Sequence, residues 1–216
     1  MEFQHAKDRI LYCAKKVFYE NGYNQATLRR IAESAGTKCA LVNYHFKTKE
    51  HLAAYIHTSY YKTIYARLNE ERYEHLNIIN SLHKQILAAY IYYENIFKDE
   101  NNKCFFLEVA LRDSKLFIQR EFLDNIFNNY IKDFDLSMTS RDYLAYYYMQ
   151  SGAKRNFVRR CIQGPFDDLS ITEVVHYVEA IMPRLMGVDQ KTIDSYLFKA
   201  DHTILEIEYS DIKYLI

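Results

Sequence analysis

The chain has 216 residues, 28 of them basic and 28 acidic, and so no formal net charge. That length suits one or two domains with a sizeable core, and the even balance by itself points to no nucleic-acid or membrane partner. No stretch approaches the roughly 20 consecutive apolar residues of a membrane span, and the N-terminus MEFQHAKDRILYCAKK carries charges throughout instead of the apolar core of a secretory signal, so a cytoplasmic protein is expected.

Two prolines and five glycines leave room for little except helices. Apolar periodicity places helices near residues 4–21, 27–35, 38–44, 48–70, 75–98, 103–111, 115–134, 140–163, 170–186 and 190–212. The most informative stretch is TLRRIAESAGTKCALVNYHFKTKE, residues 27–50. Leu28, Ile31, Ala32 and Ala35 fall at i, i+3, i+4 and i+7, the stripe of a helix with one buried face, and Thr27 stands where an N-cap belongs. Gly36 ends that helix, and the next begins within a residue or two, the spacing of a helix-turn-helix. Arg29, Arg30, Lys38, Asn43, Tyr44, His45, Lys47 and Lys49 fall on the outer face, all donors suited to phosphates or base edges. Residues 1–51 hold nine Lys or Arg against five acids, so a basic head precedes a mildly acidic body.

From about Ile10 to Ile56 the chain resembles the DNA-binding domain of the TetR family of bacterial transcriptional regulators. The likeness is carried by ILYCAKKVFYENGYNQATLRRIAESAG, with Phe18, Gly22, Thr27, Ile31, Ala32 and Gly36 in place, and by ALVNYHFKTKEHL, of which N-Y-H-F-K-x-K-E is the specific part. Beyond residue 70 no motif extends it. The resemblance implies that the third helix enters the major groove with Lys38, Cys39, Ala40, Leu41 and Asn43 nearest the bases. It places Tyr44, His45 and Lys49 on phosphates. Thr27 would both cap its helix and present that helix start to a phosphate. Val42 and Phe46 are expected in the core against Ile31 and Phe18. Lys38 fills a place where a capping serine is common, so Thr37 is expected to cap instead. Cys39 is a poor reader of bases, which leaves direct readout to Lys38, Asn43 and Arg29; a redox role for Cys39 is the alternative.

The same resemblance implies an all-α fold, with a helix-turn-helix domain over 1–47 and a helical ligand-binding and dimerisation domain over 48–216. A small-molecule pocket is expected in the body. With twenty-one tyrosines, thirteen phenylalanines and no tryptophan, an apolar or flat aromatic ligand fits such a pocket, and Tyr65, Tyr90, Phe97, Phe106 and Tyr147 stand as its placeholders. Aromatic residues at helical spacing are more often core than pocket lining. For the dimer, Val174, Val175, Val178, Ile181, Met182 and Leu185 form an apolar stripe on helix 170–186, which Pro183 should kink or end around Met182. The segment 190–216 reads as an additional helix of unknown purpose.

Cys13, Cys39, Cys104 and Cys161 lie far apart with no C-x-x-C, so neither a zinc site nor a disulfide framework is expected, and Cys13, Cys104 and Cys161 read as small buried apolar residues. No G-x-S-x-G, phosphate-binding loop, dinucleotide motif or H-E-x-x-H is present, so no enzyme, metal or cofactor is expected. The sequence therefore reads as a homodimeric repressor released from a palindromic operator by a small molecule. An activator, a ligand-independent regulator, or a helical interaction protein without specific DNA binding are its alternatives.

Overall fold

A computed structural model describes residues 5–110, 112 and 120–216, and the expected helix starts near 4 and 115 and the end at 111 fall outside them. Of the described residues 76% are helical, and none lies in a strand. The helices are α1 (Ala6–Gln25), α2 (Leu28–Ser34), α3 (Cys39–Phe46), α4 (Lys49–Arg67), α5 (Ser81–Phe97), α6 (Glu100–Ala110), α7 (Arg120–Asp133), α8 (Ser140–Ile162), α9 (Ile171–Glu179), α10 (Ile181–Leu185) and α11 (Gln190–Thr203). Short 3₁₀ turns cover Glu71–Leu76 and Ile204–Glu206.

Several boundaries depart from the periodicity for local reasons. The stretch 75–98 is interrupted because Asn77 sits in the left-handed region, φ 47°, and α5 starts afresh where the Asn80 side chain accepts the His83 N–H at 3.0 Å. Asp99 likewise caps α6, accepting the Asn102 N–H at 2.8 Å. The stretch 170–186 breaks at Ala180, not around Met182, because the Pro183 ring conflicts with the carbonyl four residues earlier, which belongs to Glu179. Ser170 and Glu173 start α9 with a reciprocal capping box. The last segment stays helical only to Thr203, turns through Glu206, then runs on without regular structure, yet Ile207, Ile212, Tyr214 and Leu215 are buried.

The chain forms two compact units: Met1–Tyr61 with Asn95–Gln119 and Lys213–Ile216, and Lys62–Glu94 with Arg120–Ile212. Compactness thus divides the chain elsewhere than at residue 47, where a functional division is expected. In the first unit Ile10, Phe18, Ile31, Val42, Leu52, Ile56 and Phe105 are buried, and the ring centroid of Phe105 lies 5.0 Å from that of Phe18. Tyr214 is 1% exposed in the same core, its hydroxyl 3.0 Å from the imidazole nitrogens of the fully buried His57. Cys13 and Cys161 are buried as expected, but Cys104 is exposed, since α6 turns Phe105 and Phe106 inward and leaves its neighbour outside. No group of His, Cys, Asp or Glu suited to a metal occurs among the described residues, and no described helix is long and apolar enough to cross a membrane.

Burial lowers the His57 pKa to about 3, so the folded chain keeps this imidazole neutral. The unfolded chain takes up a proton below about pH 6.5, and the folded chain does not until about pH 3. Stability is therefore unaffected by His57 above about pH 6.5 and falls between those values by up to about 1.4 kcal/mol per pH unit. Urea unfolding of wild type and His57→Gln across pH 4 to 8 should show a stability difference that shifts in favour of the variant as pH drops; a constant difference would exclude this linkage.

Candidate nucleic-acid interface

The α2–turn–α3 unit is built from caps and two inward side chains. Thr27 is exposed, and its hydroxyl accepts the Arg30 N–H at 3.1 Å, which caps α2. At the other end Gly36, φ 58°, lets its own N–H donate to the Glu33 carbonyl at 3.1 Å and the Thr37 N–H donate to Ala32 at 2.9 Å, closing α2 with the paired bonds of a left-handed cap. The N-cap of α3 is Lys38, with no side-chain acceptor, which corrects the expectation that Thr37 caps it. Thr37 gives its backbone N–H to closing α2, and with no side-chain cap at Lys38 the first N–H groups of α3 are left for water or a ligand.

Val42 and Phe46 are 0% and 4% exposed and belong to the same core as Ile31 and Phe18, as expected. That orientation puts the rest of α3 outside. Lys38, Ala40 and Asn43 are exposed, Tyr44 is 80% exposed, and Cys39, Leu41 and His45 are half-buried. Arg29 is exposed beside them on α2, with Glu33 at 2.9 Å. An exposed i,i+4 pair of this kind is weak enough to exchange for a stronger anion. Lys47 and Thr48 are exposed at the end of α3, where Lys47 takes the unusual φ of 59°.

Lys49 faces the other way. Its ammonium donates to the carbonyls of Tyr23 and Ala26, both at 2.8 Å, and lies 4.3 Å from the centre of the Tyr23 ring. Burial first, then the Arg112 guanidinium, lowers its pKa, while Glu50 and Glu108 oppose that. Glu50 accepts the Tyr23 hydroxyl at 2.9 Å, and its own backbone N–H leads the causes that hold its carboxyl below the usual range. From α6, Glu108 accepts the Asn24 N–H at 2.8 Å, while Arg112 donates to the Asn24 side chain at 2.7 Å. At Gly22, φ 69°, a Cβ would stand 2.7 Å from Glu108 Oε2, so a larger residue would have to push this carboxylate aside as well as hold a left-handed φ that favours glycine. The sequence reading missed Glu108 and Arg112, because more than 80 residues separate them from Asn24.

The other expected sites fare differently. Phe97 and Phe106 belong to the first unit, whereas Tyr65, Tyr90 and Tyr147 belong to the second. Tyr90 donates to Asp201 at 2.5 Å, an oxygen that also lies 2.8 Å from His176, and Phe106 and Tyr147 are buried core. Tyr65 alone of the five lines a cavity of about 580 Å³ in the second unit, together with Tyr73, Asn69, Asn77, Asn80 and Asn129. With Leu68, Ile78 and Ile126 also on its wall, that lining is mixed, carrying more hydrogen-bonding groups than the apolar or flat wall that was expected. Val174, Val175 and Val178 are 0% exposed and Met182 1% within a single chain, while Ile181 and Leu185 are half-buried. The stripe is thus the chain's own core and not a free dimer face, because α9 turns its widest apolar side inward. Its outward side carries Tyr177, 57% exposed, with Phe157 and Phe166 in ring contact beside it and Met149 exposed on α8.

Residues 10–56 match the family model described as bacterial regulatory proteins, tetR family. The chain is similar to the HTH-type transcriptional regulator QacR of Staphylococcus aureus, 46% identical over 46 residues that make up 21% of this chain and 24% of that protein. It is also similar to the HTH-type transcriptional repressor BepR of Brucella suis, 32% identical over 89 residues, 41% of this chain and 43% of that one. The matches therefore span less than half the length of these curated relatives. Among solved structures, a tetR-family transcriptional regulator from Streptomyces coelicolor aligns over 96% of this chain and 91% of its own at 14% identity, with a TM-score of 0.49.

The geometry makes Lys49 a strut. Lys49→Ala deprives two carbonyls of a charged donor, so the unfolding free energy should fall by roughly 1 to 3 kcal/mol. Urea denaturation reads this directly, and a variant as stable as wild type would return Lys49 to the list of phosphate contacts.

Proposed function

We infer, from a chain that belongs to the TetR family of bacterial transcriptional regulators, a homodimeric DNA-binding repressor that a small molecule releases from a palindromic operator. The observation that carries this reading is the orientation of α3. Val42 and Phe46 are buried, and Lys38, Ala40 and Asn43 are exposed beside Arg29, with no acidic side chain on the outer face of α3. Asn43 is assigned to an adenine edge and Lys38 to a guanine edge, with Arg29 at the rim of the same groove and Cys39 and Ala40 close to the bases. Tyr44, His45 and the start of α2 at Thr27 hold phosphates, the last through free N–H groups and the positive end of the helix. The half-buried Cys39 needs no redox role in this reading. BepR, by its printed name a repressor, supports the direction of control.

Two heads are needed to read a two-fold symmetric site. The dimer face proposed is the outward side of α8 and α9, where Tyr177, Phe157, Phe166 and Met149 leave aromatic and apolar surface uncovered. The effector site proposed is the cavity in the second unit. Its carboxamides, tyrosines and mixed charges, including Glu70, Asp133 and Lys84, fit a polar, hydrogen-bonding molecule better than an apolar one. An effector then needs only to favour the spacing of heads that does not match the operator.

Selection of binding sites from random duplexes tests the reading: it should return a two-fold symmetric sequence, and recovery of no preferred sequence would overturn it. On the selected duplex, Asn43→Ala should cost about 1 to 3 kcal/mol per half-site, with a smaller loss on random DNA. Parallel losses on both duplexes would make Asn43 a positioning residue. Substitution on adjacent positions of α9 separates face from core. Tyr177→Asp should give folded monomers, whereas Val178→Asp should unfold the chain, because an unpaired charge at a fully buried position costs several kcal/mol. Sedimentation with circular dichroism reads both, and an intact Tyr177→Asp dimer would move the interface off this face.

A further inference from the structure

Glu179 carries a carboxylate that is 2% exposed at the last residue of α9, immediately before the break at Ala180. Burying a charge needs a partner and satisfied lone pairs, and both carboxylate oxygens are engaged. Lys154 of α8, 16% exposed, donates to Oε1 at 2.9 Å, and the Gln85 carboxamide of α5 donates to Oε2 at 3.2 Å. The other end of that carboxamide accepts the Tyr65 hydroxyl of α4 at 2.6 Å. The phenol is held protonated, since burial first and the Glu179 charge second raise its pKa well above the ordinary value. One polar chain thus crosses four helices, α4, α5, α9 and α8, inside the second unit. Its first member lines the cavity. Its last members sit on the two helices that carry the outward aromatic face, Lys154 one turn before Phe157 on α8 and Glu179 on the inward side of α9, two residues after the outward Tyr177.

A neutral apolar contact would hold these helices as well, and replacing a buried ion pair by apolar residues is often neutral or stabilising. What the polar chain adds is directionality: each link has one geometry in which donors meet acceptors, so a shift at one end leaves a buried group unsatisfied further along. We propose that Tyr65, Gln85, Glu179 and Lys154 form a relay that couples the state of the cavity to the α9–α10 junction and to the aromatic face beside it. The inference rests on the reading of the cavity as the effector site. A polar ligand that draws the Tyr65 hydroxyl to itself releases the Gln85 carboxamide, Glu179 loses a donor, and the backbone turn at Ala180 loosens next to the face on which two copies meet. The coupling is carried by packed helices with an alternative set of bonds and needs no movement in the site beyond one hydroxyl.

Tyr65→Phe mimics that release without a ligand, because it removes only the hydroxyl. Amide hydrogen exchange on the full-length, DNA-free protein should be roughly three- to tenfold faster over 179–186, the change expected for loss of one net hydrogen bond. Tyr73→Phe is the control: Tyr73 lines the same cavity, but its hydroxyl bonds the backbone of Glu208, so exchange should change near 208 and not over 179–186. In a background where the pair is neutralised together, Glu179→Gln with Lys154→Met, the added effect of Tyr65→Phe should shrink to less than twofold, since the carboxylate that Gln85 served is gone. Unchanged exchange over 179–186 in Tyr65→Phe, an equal effect of Tyr73→Phe, or an undiminished effect in the neutralised background would each overturn the relay. The measurement is blind to DNA and to any effector, so its failure is separate from failure of the regulator reading, which the duplex selection decides.

Discussion

The reading surface depends on how the last carbonyls of α1 are satisfied. A helix end leaves four carbonyls without intrahelical partners, and here the break at Gly22 adds a turn with its own unpaired groups. The Lys49 ammonium takes the carbonyls of Tyr23 and Ala26, and Glu50 takes the Tyr23 hydroxyl. Residue 26 is followed directly by Thr27, the cap of α2, so the first turn of α4 sets where α2 begins. Because Ile31, Val42 and Phe46 are buried in one core, placing α2 also places α3. The two charges at the start of α4 therefore set, from within the fold, the position of Thr27 and of the exposed face behind it.

Charge is used differently in the second unit, where the groups that matter are hidden. The Glu179 carboxylate and the Tyr90–Asp201–His176 cluster link α5, α8, α9 and α11 by bonds with a single good geometry. Such links do little for net stability compared with apolar packing, and their value lies in selecting one arrangement of helices over near neighbours. On the proposed reading of the cavity as an effector site, that selectivity is what would let occupancy be transmitted, since an apolar slab that slides freely would transmit nothing.

Legibility in the sequence followed the range of the interactions. Local signals were read correctly: Thr27 as a cap, Gly36 as a stop, and Val42 and Phe46 as the inward side of α3 all depend on neighbours within a few positions. Pro183 was recognised as a breaker, but the break lies at Ala180 because the steric conflict acts four residues upstream. Longer range defeated the reading. Lys49 has the residue type and position of a phosphate contact, and nothing nearby in sequence announces that Tyr23 and Ala26 claim its ammonium. The valine stripe of α9 looked like a dimer face because periodicity reports that a side is apolar without reporting which surface covers it. The cavity was invisible for the same reason, being assembled from α4, a 3₁₀ turn, α5 and α7.

The abundance of tyrosine also has a structural rather than a ligand-binding explanation. Tyrosine hydroxyls repeatedly meet carboxylates on other helices: Tyr19 with Asp99 at 2.8 Å, Tyr23 with Glu50 at 2.9 Å, Tyr90 with Asp201 at 2.5 Å, Tyr143 with Asp124 at 2.6 Å, and Tyr209 with Glu94. Each ring supplies apolar area, and each hydroxyl supplies one directional tie at the rim. The carboxylate then has a donor without a counter-charge, which lets an acidic body bury the edges of its helices without matching lysines. Burial leads the causes that raise the phenol pKa of Tyr23, Tyr90 and Tyr209, and the paired carboxylate adds to it, so these donors stay protonated at any ordinary pH. Tryptophan offers a similar ring with one donor fixed at its edge, but it is bulkier and places that donor sideways rather than at the tip of the side chain. A chain held by tip-to-carboxylate ties has reason to use tyrosine throughout, and Tyr65, which lines the cavity and donates to the Gln85 carboxamide instead of a carboxylate, stands apart from that set as the first member of the proposed relay.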